Sequence, residues 1–192
     1  MNALENWFCG SGFWRYVTRQ QLLPWMLHGV VLGDHLLELG AGPGAATLEL
    51  AQLASRVTSV EFESKSVAIL NKQTHNANVR VIQGDASALP FASQTFSSAI
   101  AILMFHHLKS SELQDRAFAE IFRVLRPGGK LLVFEIPDGW FHRLEHFKST
   151  FVPLNPTFVS ARLSAVGFSQ ASVSMRGGGF RIRAQRPRES QL

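Results

Sequence analysis

Gly40-Ala41-Gly42-Pro43-Gly44 lies between the apolar run Leu36-Leu37-Glu38-Leu39 and a helical pattern beginning at Ala45. Glycine has no Cβ and tolerates positive φ, so such a loop lets the backbone approach a ligand closely. The helix that follows offers unpaired N–H groups to an anionic part of that ligand. The loop satisfies two templates: Gly40-x-Gly42-x-x-Ala45 and Gly40-x-Gly42-x-Gly44. Glu61 ends the next apolar run, 21 positions after Gly40. A carboxylate there accepts hydrogen bonds from both hydroxyls of a ribose. These residue types at this spacing point to a nucleoside cofactor and leave open which one.

The remaining motifs narrow the choice. Gly84-Asp85-Ala86-Ser87-Ala88-Leu89-Pro90-Phe91 comes first, then Phe96-Ser97-Ser98-Ala99-Ile100 and Phe105-His106-His107-Leu108. Phe122-Arg123-Val124-Leu125-Arg126-Pro127-Gly128-Gly129-Lys130-Leu131 closes the series. In this order the set resembles the class I S-adenosylmethionine-dependent methyltransferases, most of all the small bacterial ubiquinone/menaquinone-type enzymes. The resemblance covers Leu36 to Ile136 well and the rest in outline. It implies a three-layer Rossmann-like α/β fold of seven strands, mostly parallel with the last antiparallel. It also implies S-adenosylmethionine as cofactor and S-adenosylhomocysteine as product. Glu38 and the loop Gly40, Ala41, Gly42 and Gly44 would then line the methionine moiety, and Glu61 would hold the ribose diol. Phe62 would pack on the adenine, Asp85 would accept from its amino group with the Ala86 backbone nearby, and Leu103 would close the far side. Ser97 departs from the family pattern, which usually has aspartate after the phenylalanine of strand four.

Other chemistries fit less well. A short-chain dehydrogenase wants Tyr-x-x-x-Lys, but the only tyrosine is Tyr16 and Gln20 occupies the lysine position. Gly129-Lys130 is followed by Leu131 rather than a hydroxyl residue, so no phosphate-binding Walker loop is present. Ser11 has its glycines directly beside it, not two positions away as in a hydrolase elbow. His142-Arg143-Leu144-Glu145-His146 has the zinc order His-x-x-Glu-His, but a catalytic zinc needs a third protein ligand. The only acid downstream is Glu189, so no metal is assigned. Trp140, Phe141 and Phe147 make this stretch part of an acceptor-pocket cover. Methyl transfer from a sulfonium is an in-line displacement, and a base is required only for a protonated nucleophile. Candidate bases are His107 and His106 at the end of strand four, with Glu135 and Asp138 after them.

The elements that must position these residues alternate. Strands are expected at His35–Leu39, Val57–Phe62, Val79–Gln83, Ser98–Leu103 and Lys130–Ile136, and helices at Gly44–Leu53, Ser64–Thr74, Ser111–Val124 and Pro156–Ala165. Short apolar strands separated by helices indicate a doubly wound parallel sheet. Ala171–Arg176 and Phe180–Ala184, joined by Gly177-Gly178-Gly179, read as a hairpin. Phe13–His28 reads as helical, interrupted near Pro24. Residues 1–34 form an aromatic N-terminal helical cover, and 35–192 the cofactor-binding domain. The lone Cys9 excludes an internal disulfide and agrees with a cytoplasmic location, and no apolar run is long enough for a membrane span. Five arginines against Glu189 place +4 of the net +5 charge after residue 175. This reads as a solvated edge strand and tail, with a contact to an anionic membrane surface as the alternative. No RNA-binding module is recognisable, so small or lipid-like acceptors rank ahead of nucleic acid. The rival functions are a non-catalytic nucleoside-binding protein and an NAD-linked oxidoreductase.

Overall fold

The computed structural model describes residues 10–139 and 150–188. Seven strands form one sheet: β1 (His35–Leu39), β2 (Arg56–Glu61), β3 (Val79–Gln83), β4 (Phe96–Ile102), β5 (Leu125–Glu135), β6 (Ser169–Arg176) and β7 (Gly179–Gln185). Their order is β3-β2-β1-β4-β5-β7-β6. The first five run parallel, and β7 runs antiparallel to both β5 and β6. The strand order reverses direction between β1 and β4, and open α/β sheets bind ligands at the carboxyl ends beside such a switch point.

Both faces of the sheet are covered, which explains the continuous apolar character of β1 and β4. On one face Leu37, Leu39, Ala99 and Val133 pack with α5 (Ser111–Val124) and α6 (Val159–Val166). On the other, Leu36, Val57, Ile100 and Leu132 pack with α2 (Leu23–Leu27) and α3 (Thr47–Leu53). Helix α5 shows how the pattern works. Ser110 caps it by accepting from Leu113 N–H, and Gln114, Ala117, Phe118, Ile121 and Val124 make its buried stripe. Helix α4 (Ser64–Thr74) buries Leu70.

Several boundaries differ from expectation for identifiable reasons. The N-terminal helix does not break at Pro24. Helix α1 (Gly12–Val17) passes through a π-helical turn at Thr18–Leu22 into α2, with Pro24 in its first turn where a missing N–H is tolerated. Helix α3 starts at Thr47, not Gly44, because Gly40, Gly42 and Gly44 all have positive φ and hold the chain out of the helical region. Strand β5 begins five residues early, at Leu125, and bulges before Lys130 as Gly128 N–H and Gly129 C=O pair with Arg186. The hairpin turn is Gly177-Gly178, both at positive φ as a type I′ turn requires. Ser97, where an aspartate was expected, accepts from His35 N–H at 2.9 Å and so tends the entrance of β1 with a hydroxyl instead.

The edge-strand reading holds for Arg176 at the end of β6 and is corrected for Arg181, Arg183 and Arg186. Strand β7 is internal and β6 is the edge. Arg183 donates to the carbonyls of Met26 and His28, and Arg181 donates to that of Trp25 while its guanidinium lies 4.7 Å from the Trp25 ring centroid. Arg186 donates to the carbonyls of Phe122, Arg123 and Leu125 at the end of α5. These cations satisfy the orphan carbonyls and negative dipole ends of two helices.

Candidate active site

The three glycines after β1 have different surroundings. A Cβ on Gly40 would lie 2.4 Å from Met104, and one on Gly44 would lie 2.7 Å from Leu70. Those two positions are closed by the protein itself. Gly42, at φ +54°, would place a Cβ in open space. Its N–H donates to Glu61 Oε2 at 2.8 Å, and Glu63 N–H donates to Glu61 Oε1 at 2.8 Å. Glu61 is thereby buried and turned toward the glycine loop. A carboxylate has about four acceptor sites, so two remain for hydroxyls of a ligand.

Beside it opens a groove of about 640 Å³ lined by Phe62, Glu63, Ser64, Lys65, Gln83, Gly84 and Asp85. Phe62 leaves the end of β2 and is 70% exposed, an unusual state for a phenylalanine and one suited to a flat apolar ligand. Asp85 Oδ1 accepts from both the N–H and the hydroxyl of Ser87, which fixes the carboxylate in a tight turn. The fold thus brings Phe62 and Asp85 to one groove, with Glu61 adjoining Phe62 in sequence. Ala41 and Ala86 are buried at the two loops. Lys65 and Gln83 also line the groove, and nothing in residue type or spacing had marked them.

Glu38 points into the face covered by α3 and is nearly inaccessible. Its Oε2 accepts from Thr47 at 2.8 Å and from Ser59 at 2.6 Å. Burial pushes the Glu38 carboxyl up to about 7; the two hydroxyls oppose the shift and the charge of Glu61 adds to it. The folded state therefore keeps a proton that the unfolded chain has lost. The associated stabilisation is complete below the ordinary value of 4.5 and disappears as pH rises through about 7. Ligand-free protein should lose about 3 kcal/mol of unfolding free energy across that window. Glu38→Gln should flatten the slope, as measured by urea denaturation at both ends of the window. An equal slope in the variant would remove Glu38 as its source.

At the end of β4, Leu103 holds φ +54°, a conformation that a leucine adopts only under constraint. Its N–H donates to Phe134 C=O, which ties the distortion to β5. A 3₁₀ turn follows at Phe105–His107. Glu135, the last residue of β5, has 0% exposure; its Oε1 accepts from Phe105 N–H at 2.7 Å and its Oε2 lies 2.6 Å from His106 Nδ1. His106, 2% exposed, is thus drawn into the protein, while His107 on the same turn stays half-buried. The two imidazole centroids are 4.2 Å apart. Gln114 of α5 donates to the carbonyls of Phe105 and Val152, and Val152 N–H donates to His106 C=O, so the turn is pinned from two sides. Asp138 lies exposed beyond β5. The His142–His146 motif and the aromatic cover at Trp140, Phe141 and Phe147 fall outside the described residues. Among the described residues there is no cluster of three or more potential metal ligands.

The bonds to Thr47 and Ser59 and the Glu135–His106 pair had no signature in motif spacing. Ser59 alone was traceable: it shares a face of β2 with Glu61 by the strand period of two.

A family described as a methyltransferase domain matches residues 37–133, a span that runs from within β1 through most of β5. The demethylmenaquinone methyltransferase of Tropheryma whipplei (strain Twist) is 30% identical over 160 residues, covering 82% of this chain and 60% of that protein. The ubiquinone/menaquinone biosynthesis C-methyltransferase of Pseudoalteromonas translucida is 31% identical over 125 residues, covering 62% of this chain and 47% of that protein. The chain therefore spans about half to three fifths of these relatives' lengths. Among solved structures, the PH0226 protein of Pyrococcus horikoshii superposes with a TM-score of 0.77 at 21% identity, over 94% of this chain and 93% of that one. An S-adenosylmethionine-dependent methyltransferase of Methanosarcina mazei gives 0.70 at 20% identity, over 88% and 98%. These two likenesses establish the fold.

Proposed function

Since the chain belongs to the class I S-adenosylmethionine-dependent methyltransferases, we propose that it transfers a methyl group from S-adenosylmethionine to a small-molecule or lipid/quinone-like acceptor, releasing S-adenosylhomocysteine. The observation that carries this reading is the open cradle at Gly42, whose N–H is held by the Glu61 carboxylate beside the Phe62–Asp85 groove. Glu61 retains the acceptor capacity a ribose diol needs. Phe62 offers a face to the adenine, Asp85 an acceptor to its amino group, and the Ala86 backbone lies beside it. Gly40, Ala41, Gly42 and Gly44 shape the wall for the methionine moiety, with Glu38 beneath, and Leu103 closes the side facing β5. The bound cofactor supplies an electrophilic methyl group.

His107 takes a proton from an acceptor that carries one, with His106 behind it. Similarity to the demethylmenaquinone and ubiquinone/menaquinone methyltransferases favours a quinone-like acceptor, whose reduced ring hydroxyl is such a proton source. The helical segment from residue 10 to 34 would cover the cleft, a reading supported by the approach of Gly10 to the glycine loop, where a Cβ would lie 3.8 Å from Pro43. None of the helices among the described residues is long and apolar enough to cross a membrane, and a cytoplasmic enzyme meeting its lipid-like acceptor at a membrane surface agrees with this.

Calorimetric titration with S-adenosylhomocysteine and with NADH tests the cofactor, and transfer of labelled methyl to reduced demethylmenaquinone tests the acceptor. Binding of NADH alone would end the assignment in favour of an oxidoreductase; binding of S-adenosylhomocysteine with no transfer to any quinol would make this a binding protein or move the acceptor elsewhere. Asp85→Ala should weaken S-adenosylhomocysteine binding by about 1–3 kcal/mol, the cost of a lost partner for a desolvated amino group. Unchanged affinity would remove Asp85 from the adenine site.

A further inference from the structure

Glu135 stands out among the buried groups because it is an acid at the carboxyl end of β5 with two partners of different kinds. Phe105 N–H can only donate, so it occupies Oε1. As a carboxylate, Oε2 can only accept, so His106 must carry its proton on Nδ1. A buried charge of this kind costs stability relative to apolar packing, so a purely mechanical pin is a poor account of it. Glu135 holds the turn that follows Met104, the residue that walls the cofactor loop at Gly40, and the His106 ring on that turn backs directly onto His107.

We propose that Glu135 is a positioning residue for methyl transfer: it locks His106 as the Nδ1–H tautomer and places a carboxylate-polarised imidazole against His107, the group that takes the acceptor's proton. This rests on the methyltransferase reading. In the step, the hydroxyl proton of the acceptor moves to a ring nitrogen of His107. The bond from methyl carbon to sulfur breaks with its electron pair returning to sulfur, and the methyl carbon bonds to a ring carbon of the quinol, which then loses its hydrogen as a proton while the ring oxygen regains one. The positive charge thus created on His107 faces the electron-rich ring of His106, with the negative Glu135 behind it. The logic is that of a carboxylate orienting and stabilising an imidazole one step removed from the reacting atoms.

The test is Glu135→Gln, with Glu135→Asp as the conservative variant. Glutamine has one acceptor oxygen, which Phe105 N–H claims, so its amide must donate to Nδ1 and drive the His106 proton to Nε2. Nitrogen-15 NMR of the histidine rings in the ligand-free full chain should show a protonated Nδ1 on His106 in the wild type and Glu135→Asp, and a protonated Nε2 with bare Nδ1 in Glu135→Gln. With reduced demethylmenaquinone as acceptor, kcat of Glu135→Gln should fall at least tenfold while KM and the S-adenosylhomocysteine Kd stay within about twofold, and Glu135→Asp should recover part of the loss. In a His107→Ala background, Glu135→Gln should cost no more than about a further twofold, because the two act as one unit.

Losses that multiply in the double variant would overturn the proposal and leave Glu135 a structural pin, as would a flipped tautomer with undiminished kcat. A wild-type His106 protonated only on Nε2 would overturn it from the tautomer side. Failure of the wild type to bind S-adenosylhomocysteine is a separate result: it sinks the methyltransferase reading, and the role of Glu135 with it, whatever the ring spectra show.

Discussion

Gly42→Val should abolish binding of S-adenosylhomocysteine, raising Kd by at least a hundredfold, while the protein still folds. Two features of the loop combine to give this result. At φ +54° the residue is left-handed, a region that a β-branched side chain enters only at a cost of about 1–2 kcal/mol. Yet a Cβ here would meet no atom within 4 Å among the described residues beyond its chain neighbours, so they raise no steric objection to it. The added bulk is felt by whatever occupies the open side. Gly40 and Gly44 make the contrast. Alanine at either drives a methyl into Met104 or Leu70, so those variants should lose thermal stability first and binding second. Calorimetry and thermal melting on the three variants separate the effects. Wild-type affinity in Gly42→Val would mean that the loop is a turn and not a cradle.

Glu61→Gln should weaken the same ligand by about 2–4 kcal/mol, roughly thirtyfold to a thousandfold. The wild-type carboxylate accepts from Gly42 N–H on one oxygen and from Glu63 N–H on the other. Both partners are obligate donors. An amide can satisfy one of them and must set its own N–H groups against the other, and the residue is too buried for water to relieve the conflict. The glycine loop is released and an acceptor for the ribose is lost in a single substitution. Isothermal titration of the variant measures the combined loss. Affinity within threefold of the wild type would show that Glu61 serves the loop alone, and the ribose would need another partner.

The local chemistry of this chain was legible from the order of its residues. The apolar runs at His35–Leu39 and Val79–Gln83 became strands at those bounds, and Ser64–Thr74 and Ser111–Val124 became helices at theirs. Periodicity and capping are local properties, so neighbouring residues suffice to specify them. The same holds for the glycine loop, the acid at Glu61 and the turn at Asp85, whose spacing implies a parallel sheet with a crevice at its carboxyl edge. Boundaries slipped where a distant partner intervened. Leu125 joined β5 because Phe96 pairs with it, and the π turn ahead of Pro24 is held on a sheet whose strand β7 sends Arg181 and Arg183 to the end of that helix.

Charge placement was decided by tertiary structure alone. A basic C-terminal stretch reads as a surface feature until the β5–β7 pairing puts Arg181 and Arg183 within reach of α2 and Arg186 at the end of α5. Likewise Glu135 and His106 are 29 residues apart, and a rim position offered no reason to pair them. The parallel pairing of β4 with β5 brings their carboxyl ends together and buries both groups, so that one must satisfy the other. Sequence by itself determined the glycine loop, the acids at the end of β2 and after β3 and the elements that carry them, because backbone preference and hydrophobic period act over a few residues. Only the folded sheet decided which buried acids face a hydroxyl, a backbone N–H or an imidazole, because desolvation and hydrogen-bond partnership depend on neighbours far away in the chain.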